Sequence, residues 1–147
     1  MDHQTYSDAW LRGILQSVQT IALTGASPNP QRPSFAVMGF LLSRGYRVIP
    51  VNPGQAGKTI HGQPVMASLA DIAEPIDMID VFRASEYVDA VVDEALSLPV
   101  RPKVIWTQLG VYDERAAAKA EAAGMAVVMN RCPAIEYPRL IGGEAHR

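Results

Sequence analysis

The residues best suited to chemistry lie between positions 24 and 34, in the stretch TGASPNPQRPS, which follows the apolar run TIAL and precedes a helical pattern. Arg32 offers a planar set of donors that suits phosphate, and Ser27 and Ser34 offer hydroxyl groups. A helix that begins near Ser34 would add free backbone N–H groups and the positive end of its dipole. Gly25 allows a tight turn and a close approach of the backbone to a ligand. The stretch therefore predicts an anion-binding loop.

This loop differs from two familiar nucleotide-binding motifs. The sequence lacks the dinucleotide fingerprint G-x-G-x-x-G, and Asn52 occupies the position where an acidic ribose ligand is expected about 20 residues later. The segment 57–59, GKT, resembles the end of a Walker loop, but no helical pattern follows it. An oxidoreductase or sensor that binds NAD(P) is therefore the alternative interpretation and not the first.

Residues for catalysis or metal binding are sparse. The histidines His3, His61 and His146 are scattered, and Cys132, the single cysteine, has no metal-ligand spacing to another cysteine. We predict no catalytic residue and no metal site. Cys132 is expected to be a small buried side chain or, beside Arg131, a thiol available for redox chemistry.

The elements that must position these residues alternate between strands and helices. Apolar runs predict five strands and helical spacing predicts four helices, which favours an α/β fold with a Rossmann-like, doubly wound parallel sheet in the order 3-2-1-4-5. Ligands of such sheets bind beyond the carboxyl ends of the strands. The predicted strands are 20–24, 47–51, 77–82, 103–107 and 125–129, and the predicted helices are 7–17, 35–45, 86–98 and 113–124.

Length and composition narrow the functional class. The 147 residues fit a single domain, 1–147, and a net charge of −2 argues against a nucleic-acid partner. No run of about 18 apolar residues predicts a membrane span. A single cysteine suits the reducing cytoplasm. A free sheet edge or the apolar first helix would allow a homodimer or an unknown protein partner.

The segments at the strand ends resemble the stand-alone CoA-binding domain family, small bacterial proteins similar to the N-terminal domain of the succinyl-CoA synthetase α subunit. The matching pieces span about residues 20–140, nearly the whole chain. They are GASPNPQRPS, VNPGQAGKTIHGQPVMASLADI, DVFR, VIWTQLGVYDE and NRCPAIEYPRL.

The resemblance implies a Rossmann-type fold that binds CoA or acyl-CoA. It implies that the diphosphate, the ribose 3′-phosphate and the adenine meet the first loop, and that the pantetheine arm runs past the later strand ends. Trp106 is expected to stack on adenine or to pack in the core. The implied binding residues are Gly25, Ala26, Ser27, Arg32, Ser34, Asn52, Pro53, Phe82, Arg83, Trp106, Gln108 and Arg131. Arg32 and Arg83 are the first candidates for binding the phosphates, and Arg47 and Lys58 are the second candidates.

The sequence departs from the synthetase in one respect that affects function. It carries neither the second domain with the phosphorylated histidine nor a partner subunit for nucleotide chemistry, so ligase activity is not carried over. The resemblance thus implies a CoA-binding module. A further alternative is that the protein has a redox function, in which Cys132 forms a mixed disulfide with CoA.

Overall fold

The computed structural model describes residues 1–143 and contains a five-stranded parallel sheet with helices on both faces. The strands are β1 (Thr20–Thr24), β2 (Arg47–Val51), β3 (Thr59–Ile60), β4 (Gln63–Pro64), β5 (Met78–Val81), β6 (Val104–Thr107) and β7 (Ala126–Val128), of which β3 and β4 form a separate antiparallel hairpin. The helices are α1 (Asp8–Ser17), α2 (Pro33–Ser43), α3 (Val88–Leu96), α4 (Glu114–Ala122) and α5 (Pro133–Leu140).

The predicted α/β class and doubly wound parallel sheet are confirmed. Across the sheet the strands stand in the order β2, β1, β5, β6, β7. Met66 forms an isolated parallel bridge to Val51 on β2. With the Met66 segment counted as third, the order is 3-2-1-4-5-6, which contains the predicted 3-2-1-4-5 arrangement. The run that the sequence analysis numbered third, β5, instead pairs with β1, because all four of its residues are buried and a strand covered on both faces belongs inside the sheet.

Each face of the sheet has its own core. On one face α1, α2 and α5 pack over Leu23 and Trp106, and on the other α3 and α4 pack over Ile79 and Ile105. The small residues of α4, including Ala117, bring that helix close to the sheet. The two cores hold the strands rigidly, so the loops beyond the carboxyl ends of the strands have fixed starting points.

The apolar side of the first helix packs in the core of the same chain. Ser7 caps α1 by accepting a hydrogen bond from the Trp10 amide at 3.1 Å. The apolar side of α1 faces the core, and the Arg139 guanidinium of α5 pairs with the Asp8 carboxylate at 2.9 Å. The apolar face that the sequence offered for a homodimer is therefore covered by α5 and the sheet.

Helix α5 and the short strands β3 and β4 are absent from the elements predicted from the sequence. The first residue of α5 is Pro133, a position that tolerates proline, and Pro138 lies within the helix. Tyr137 is fully buried and anchors the helix on the α1–α2 face. Among residues 1–143 there is also no helix with the length and apolar character required to cross a membrane.

Candidate functional site at the carboxyl edge of the sheet

A cavity of about 600 Å³, called here the main cavity, opens at the carboxyl ends of β1, β2, β5 and β6 and reaches the amino ends of α2 and α5. Most of the residues in its wall were predicted from the sequence as binding residues. The predicted residues that line it are Gly25, Ala26, Ser27, Arg32, Ser34, Asn52, Phe82, Arg83 and Gln108. The loop after β7 adds Cys132.

The loop after β1 is fixed by backbone hydrogen bonds before any ligand is considered. The amides of Gly25 and Ala26 both donate to the carbonyl of Val51, at 3.0 and 3.3 Å. Asn52 Nδ2 donates to the Ala26 carbonyl at 2.7 Å, and Asn52 Oδ1 accepts from the Gly54 amide at 2.9 Å. Asn52 therefore ties the first two loops together, which is a structural reason for an amide at a position where many dinucleotide sites have an acid.

The anion-binding features gather at the amino end of α2. Helix α2 begins at Pro33, two residues before the predicted start, and Arg32 stands at the N-cap position with its side chain exposed. Ser34 lines the main cavity from the first turn and is buried. Upstream, the Ser27 hydroxyl accepts from the Asn29 amide at 3.1 Å and shapes the loop. Pro33 has no N–H and the Phe35 amide donates to the Arg32 carbonyl at 3.0 Å. The positive end of the helix dipole and the adjacent Arg32 guanidinium nevertheless form a site suited to phosphate.

A second cavity of about 310 Å³ adjoins the main one, and both share Gly25, Asn52 and Arg83 as lining residues. Pro53, which was also predicted as a binding residue, lines this second cavity instead of the main one. Thr24 lies in its wall with 5% of its surface exposed, and within residues 1–143 its hydroxyl oxygen has no hydrogen-bond partner. A buried hydroxyl without a partner is costly unless a ligand or water satisfies it.

Arg83 stands between the two cavities. Its guanidinium carbon lies 4.5 Å from the centre of the Tyr87 ring, the geometry of a cation–π contact. The side chain is half-buried. Because Arg83 lines both cavities, one cation faces any ligand that spans them.

The opposite end of the main cavity is built from the loops after β6 and β7. The Arg131 amide donates to the Thr107 carbonyl at 3.2 Å, and the Gly110 amide donates to Asn130 Oδ1 at 2.7 Å. These bonds hold the two loops side by side, with Gln108 and Cys132 in the cavity wall. The lining residues that sequence reasoning missed at this end are Leu109 and Val111. Leu109 and Val111 lie two and four residues after the end of β6. This short distance from a strand end was the signal by which the sequence could have identified them.

Trp106 and Arg131 were predicted in the binding pocket but lie outside the cavity wall. Trp106 is fully buried in the core, and its indole Nε1 donates to the Arg131 carbonyl at 3.0 Å. The Arg131 guanidinium lies 4.9 Å from the centre of the Tyr6 ring and donates to the Asn130 carbonyl at 2.9 Å. Trp106 was expected either to stack on adenine or to pack in the core, and in the structure it packs in the core.

The secondary phosphate candidates are also displaced from the site. Arg47 starts β2, at the opposite edge of the sheet, and forms two hydrogen bonds with the Glu74 carboxylate. Lys58 precedes the β3–β4 hairpin and is exposed, outside both cavity walls. Arg32 and Arg83 are thus the arginines that line the main cavity.

His3, His61 and Asp80 are not among the residues that line the two cavities. His3 contacts the Tyr6 hydroxyl at 2.7 Å, His61 Nε2 donates to the Phe35 carbonyl at 2.7 Å, and His146 lies outside the described residues. Burial raises the pKa of Asp80 well above its ordinary range, because this carboxyl is fully enclosed in the sheet. In the described part of the chain, no cluster of three His, Cys, Asp or Glu side chains is arranged to hold a metal ion.

One curated protein is similar to this chain in sequence, and two solved structures are similar to it in sequence and in fold. "Uncharacterized protein YneT" of Bacillus subtilis (strain 168) is 36% identical over 132 residues, which is 88% of this chain and 93% of that protein. A Thermus thermophilus structure, "cell-free ID.343", has 38% identity and a TM-score of 0.87 over 92% of this chain and 100% of its own. A "hypothetical protein from Pyrococcus horikoshii OT3" has 35% identity and a TM-score of 0.86 over 97% and 100%.

The family comparison covers the same region as the two cavities. Residues 19–138, from the start of β1 through most of α5, match the model of the family described as "CoA binding domain". The segments that form the cavity walls all fall within the matched range. This chain belongs to the CoA binding domain family.

Proposed function

We propose that this protein is a single-domain module of the cytoplasm that binds CoA or acyl-CoA along the carboxyl edge of its sheet. The observation that carries the proposal is the main cavity, which has an anion-binding end at Arg32 and the amino end of α2, and an end at Cys132 with a more apolar wall. CoA has the same order of chemical groups, since its phosphates and its thiol lie at opposite ends of the molecule.

The order of strands supports one orientation of the ligand. The loops after β2 and β1 supply Asn52, Ser27 and Arg32, and the loops after β6 and β7 supply Leu109 and Cys132. A diphosphate at the amino end of α2 would gain the helix dipole and the Arg32 guanidinium. The pantetheine arm then extends over the ends of β5 and β6 toward the thiol of Cys132.

The second cavity suits the adenosine part of the ligand. Thr24 presents a hydroxyl that lacks a partner among the described residues, and the Glu94 carboxylate in the same wall can accept from an exocyclic amine. Arg83, shared by both cavities, is available to the ribose 3′-phosphate. A basic residue at this junction matches a phosphorylated ribose better than the acidic clamp of an NAD site does.

The first test is thermal unfolding with CoA, dephospho-CoA, NAD, NADP and ATP, each in millimolar excess. A ligand that binds only the folded protein raises its melting temperature, so we expect the largest shift with CoA and a smaller one with dephospho-CoA. Arg32→Ala should weaken CoA binding about 10- to 150-fold, since a charge-assisted hydrogen bond contributes about 1.5–3 kcal/mol. Arg115→Ala on the exposed side of α4 is the matched control. A shift with NAD or NADP and none with CoA would favour the oxidoreductase or sensor instead.

A second candidate function is redox storage of CoA, which the position of Cys132 in the cavity wall favours. The Cys132 thiolate would attack CoA disulfide, form a protein–CoA mixed disulfide and release one CoA thiol, so that CoA disulfide is the oxidant. This function requires a mass increase of one CoA that a reductant removes and that Cys132→Ser lacks. An unchanged mass after treatment with CoA disulfide would rule it out.

A further inference from the structure

Cys132, the only cysteine of the sequence, lines the main cavity at the end where the proposed ligand orientation puts the thioester of acyl-CoA. Cys132 is the N-cap residue of α5, lines the main cavity and has 8% of its surface exposed. It adjoins the loop after β6, because the neighbouring Arg131 amide donates to the Thr107 carbonyl. Its thiol is thus sheltered from bulk water yet borders the space that the proposed ligand fills.

A second side chain in the same wall independently indicates a ligand. Gln108 has 7% of its surface exposed, and its Oε1 finds no hydrogen-bond donor among residues 1–143. A buried amide oxygen without a donor is destabilising unless a bound molecule supplies one. The pantetheine arm carries two amide N–H groups, which are donors of the kind that Gln108 Oε1 lacks.

The surroundings of Cys132 suit an acyl group better than a bare thiol. Leu109 lines the cavity with 56% of its surface exposed, and Val111 stands in the same wall. An apolar acyl chain attached to CoA would cover part of this surface and gain about 25 cal/mol for each Å² removed from water. The nearby amino end of α5 favours negative charge, which develops on the carbonyl oxygen when a thioester is attacked.

We propose that Cys132 is an acyl acceptor, which takes an acyl group from acyl-CoA bound in the main cavity. The Cys132 sulfur bonds to the thioester carbonyl carbon, the bond from that carbon to the CoA sulfur breaks, and CoA leaves with the proton that Cys132 loses. One thioester replaces another, so the step needs no oxidant, reductant or nucleotide. This inference rests on the proposed binding of acyl-CoA, and it makes the protein an acyl carrier for a partner reaction that consumes a protein thioester.

The test is incubation of the whole protein with acetyl-CoA or octanoyl-CoA, with a reductant present to prevent disulfides. We expect intact-mass spectra to show the addition of one acyl group, its removal by neutral hydroxylamine, and its absence in Cys132→Ala. Gln108→Leu should slow acyl transfer about tenfold, whereas the exposed Gln16→Leu on α1 should leave the rate unchanged.

Thermal unfolding of Cys132→Ala with CoA separates this inference from the proposed function. If the variant binds CoA and the unaltered protein stays unacylated, the proposal that Cys132 accepts an acyl group is wrong. The proposal that the protein binds CoA then still holds. If neither protein binds CoA or acyl-CoA, the proposed function itself fails. Equal, hydroxylamine-stable labelling of both proteins would mean acylation of lysines and would also overturn the proposal.

Discussion

Gly25 lies directly against the backbone of Phe82, across the gap between the loops that follow β1 and β5. A Cβ placed on Gly25 would lie 2.9 Å from the Phe82 carbonyl carbon, closer still to its oxygen, and 3.0 Å from Arg83 Cγ. Gly25 also has a φ of 76°. Both the contact and the dihedral angle require glycine, so this one residue sets the separation of two loops that line both cavities.

We expect Gly25→Ala to lower the free energy of unfolding by about 2–4 kcal/mol. The left-handed conformation contributes about 1–2 kcal/mol of strain. The clash with the Phe82 backbone adds about 1–2 kcal/mol, because the Phe82 amide donates to the Thr24 carbonyl at 2.9 Å and holds this segment in place. Urea unfolding would measure the loss. CoA affinity should fall as well, since the wall shared by the two cavities must shift.

Gly57→Ala is the matched control for this prediction. Gly57 has a φ of 85°, but a Cβ there meets no described atom within 4 Å, so only the strain of about 1–2 kcal/mol applies. If both variants lose the same free energy of unfolding, the close contact between Gly25 and Phe82 does not contribute to the effect of Gly25→Ala.

The sequence predicted the architecture and the edge of the sheet that carries the cavities, because both depend on apolar runs and on the direction of parallel strands. It was less successful at assigning single residues at strand ends. Trp106 and Gln108 point to the same face of the sheet, as residues two apart in a strand do, but only Gln108 lies beyond the last strand residue, Thr107. A sequence pattern locates a strand end to within a few residues, so it could not separate the core tryptophan from the cavity glutamine.

Contacts between distant segments were beyond sequence reasoning for a different reason. Arg131 stacks on Tyr6 near the amino terminus, and Asn52 bonds to the backbone of Ala26 and Gly54. Neither the local propensity nor the periodicity of the sequence identifies which distant residues these side chains contact. Helix α5 was missed because its prolines argue against a helix, while the burial of Tyr137 that stabilises it depends on the tertiary fold.

Asp77 should stabilise the fold at neutral pH and lose this effect in acid. Burial alone raises the pKa of Asp77, but hydrogen bonds from the Thr20 and Gln19 amides, each 2.9 Å from Oδ2, and the charge of Lys103 lower the pKa overall. The stabilisation is therefore present above the unfolded pKa of about 3.9 and disappears as the pH falls through the folded pKa. We expect Asp77→Asn to lower the free energy of unfolding by about 1–3 kcal/mol at pH 7, and less at pH 3. A difference that does not change between these pH values would contradict this.

Asp80 should have the opposite pH dependence. Burial raises the pKa of Asp80, so the folded protein holds a proton that the unfolded chain releases above a pH of about 4. Stability is then lost with rising pH, by up to about 1.4 kcal/mol per pH unit, until the folded pKa is passed. Asp80→Asn cannot ionise and should be more stable than the unaltered protein at pH 8 but not at pH 4. Urea unfolding at the two pH values measures this, and parallel profiles would show that Asp80 does not titrate differently in the folded state.

Gly39 and His61 should be energetically coupled. A Cβ on Gly39 would lie 2.9 Å from His61 Cε1, and the His61 ring packs on Phe35 with centroids 4.0 Å apart. Alanine favours a helix interior over glycine by about 1 kcal/mol, but displacing His61 costs about 0.5–1.5 kcal/mol of ring contact. Gly39→Ala should thus leave stability nearly unchanged in the natural sequence and raise it by about 1 kcal/mol when His61 is alanine. A double-mutant cycle with thermal unfolding checks this, and additive effects would contradict the coupling.

Tyr87 should act on ligand binding only through Arg83. The ring of Tyr87 holds the guanidinium at the wall shared by the two cavities, and an exposed cation–π contact contributes about 0.5–1 kcal/mol. We therefore expect Tyr87→Ala to weaken CoA binding about two- to fivefold by titration calorimetry, Tyr87→Phe to leave it unchanged, and Arg83→Gln to weaken it more than tenfold.

The double variant decides whether Tyr87 positions Arg83 or contacts the ligand itself. With Arg83 already replaced by glutamine, Tyr87→Ala should have no further effect on CoA affinity, because the cation that the ring positions is gone. Dephospho-CoA provides a second check. If Arg83 binds the 3′-phosphate, Arg83→Gln should reduce the preference for CoA over dephospho-CoA, whereas Arg32→Ala at the diphosphate end should weaken both ligands alike. An undiminished preference in Arg83→Gln would assign the 3′-phosphate to another residue.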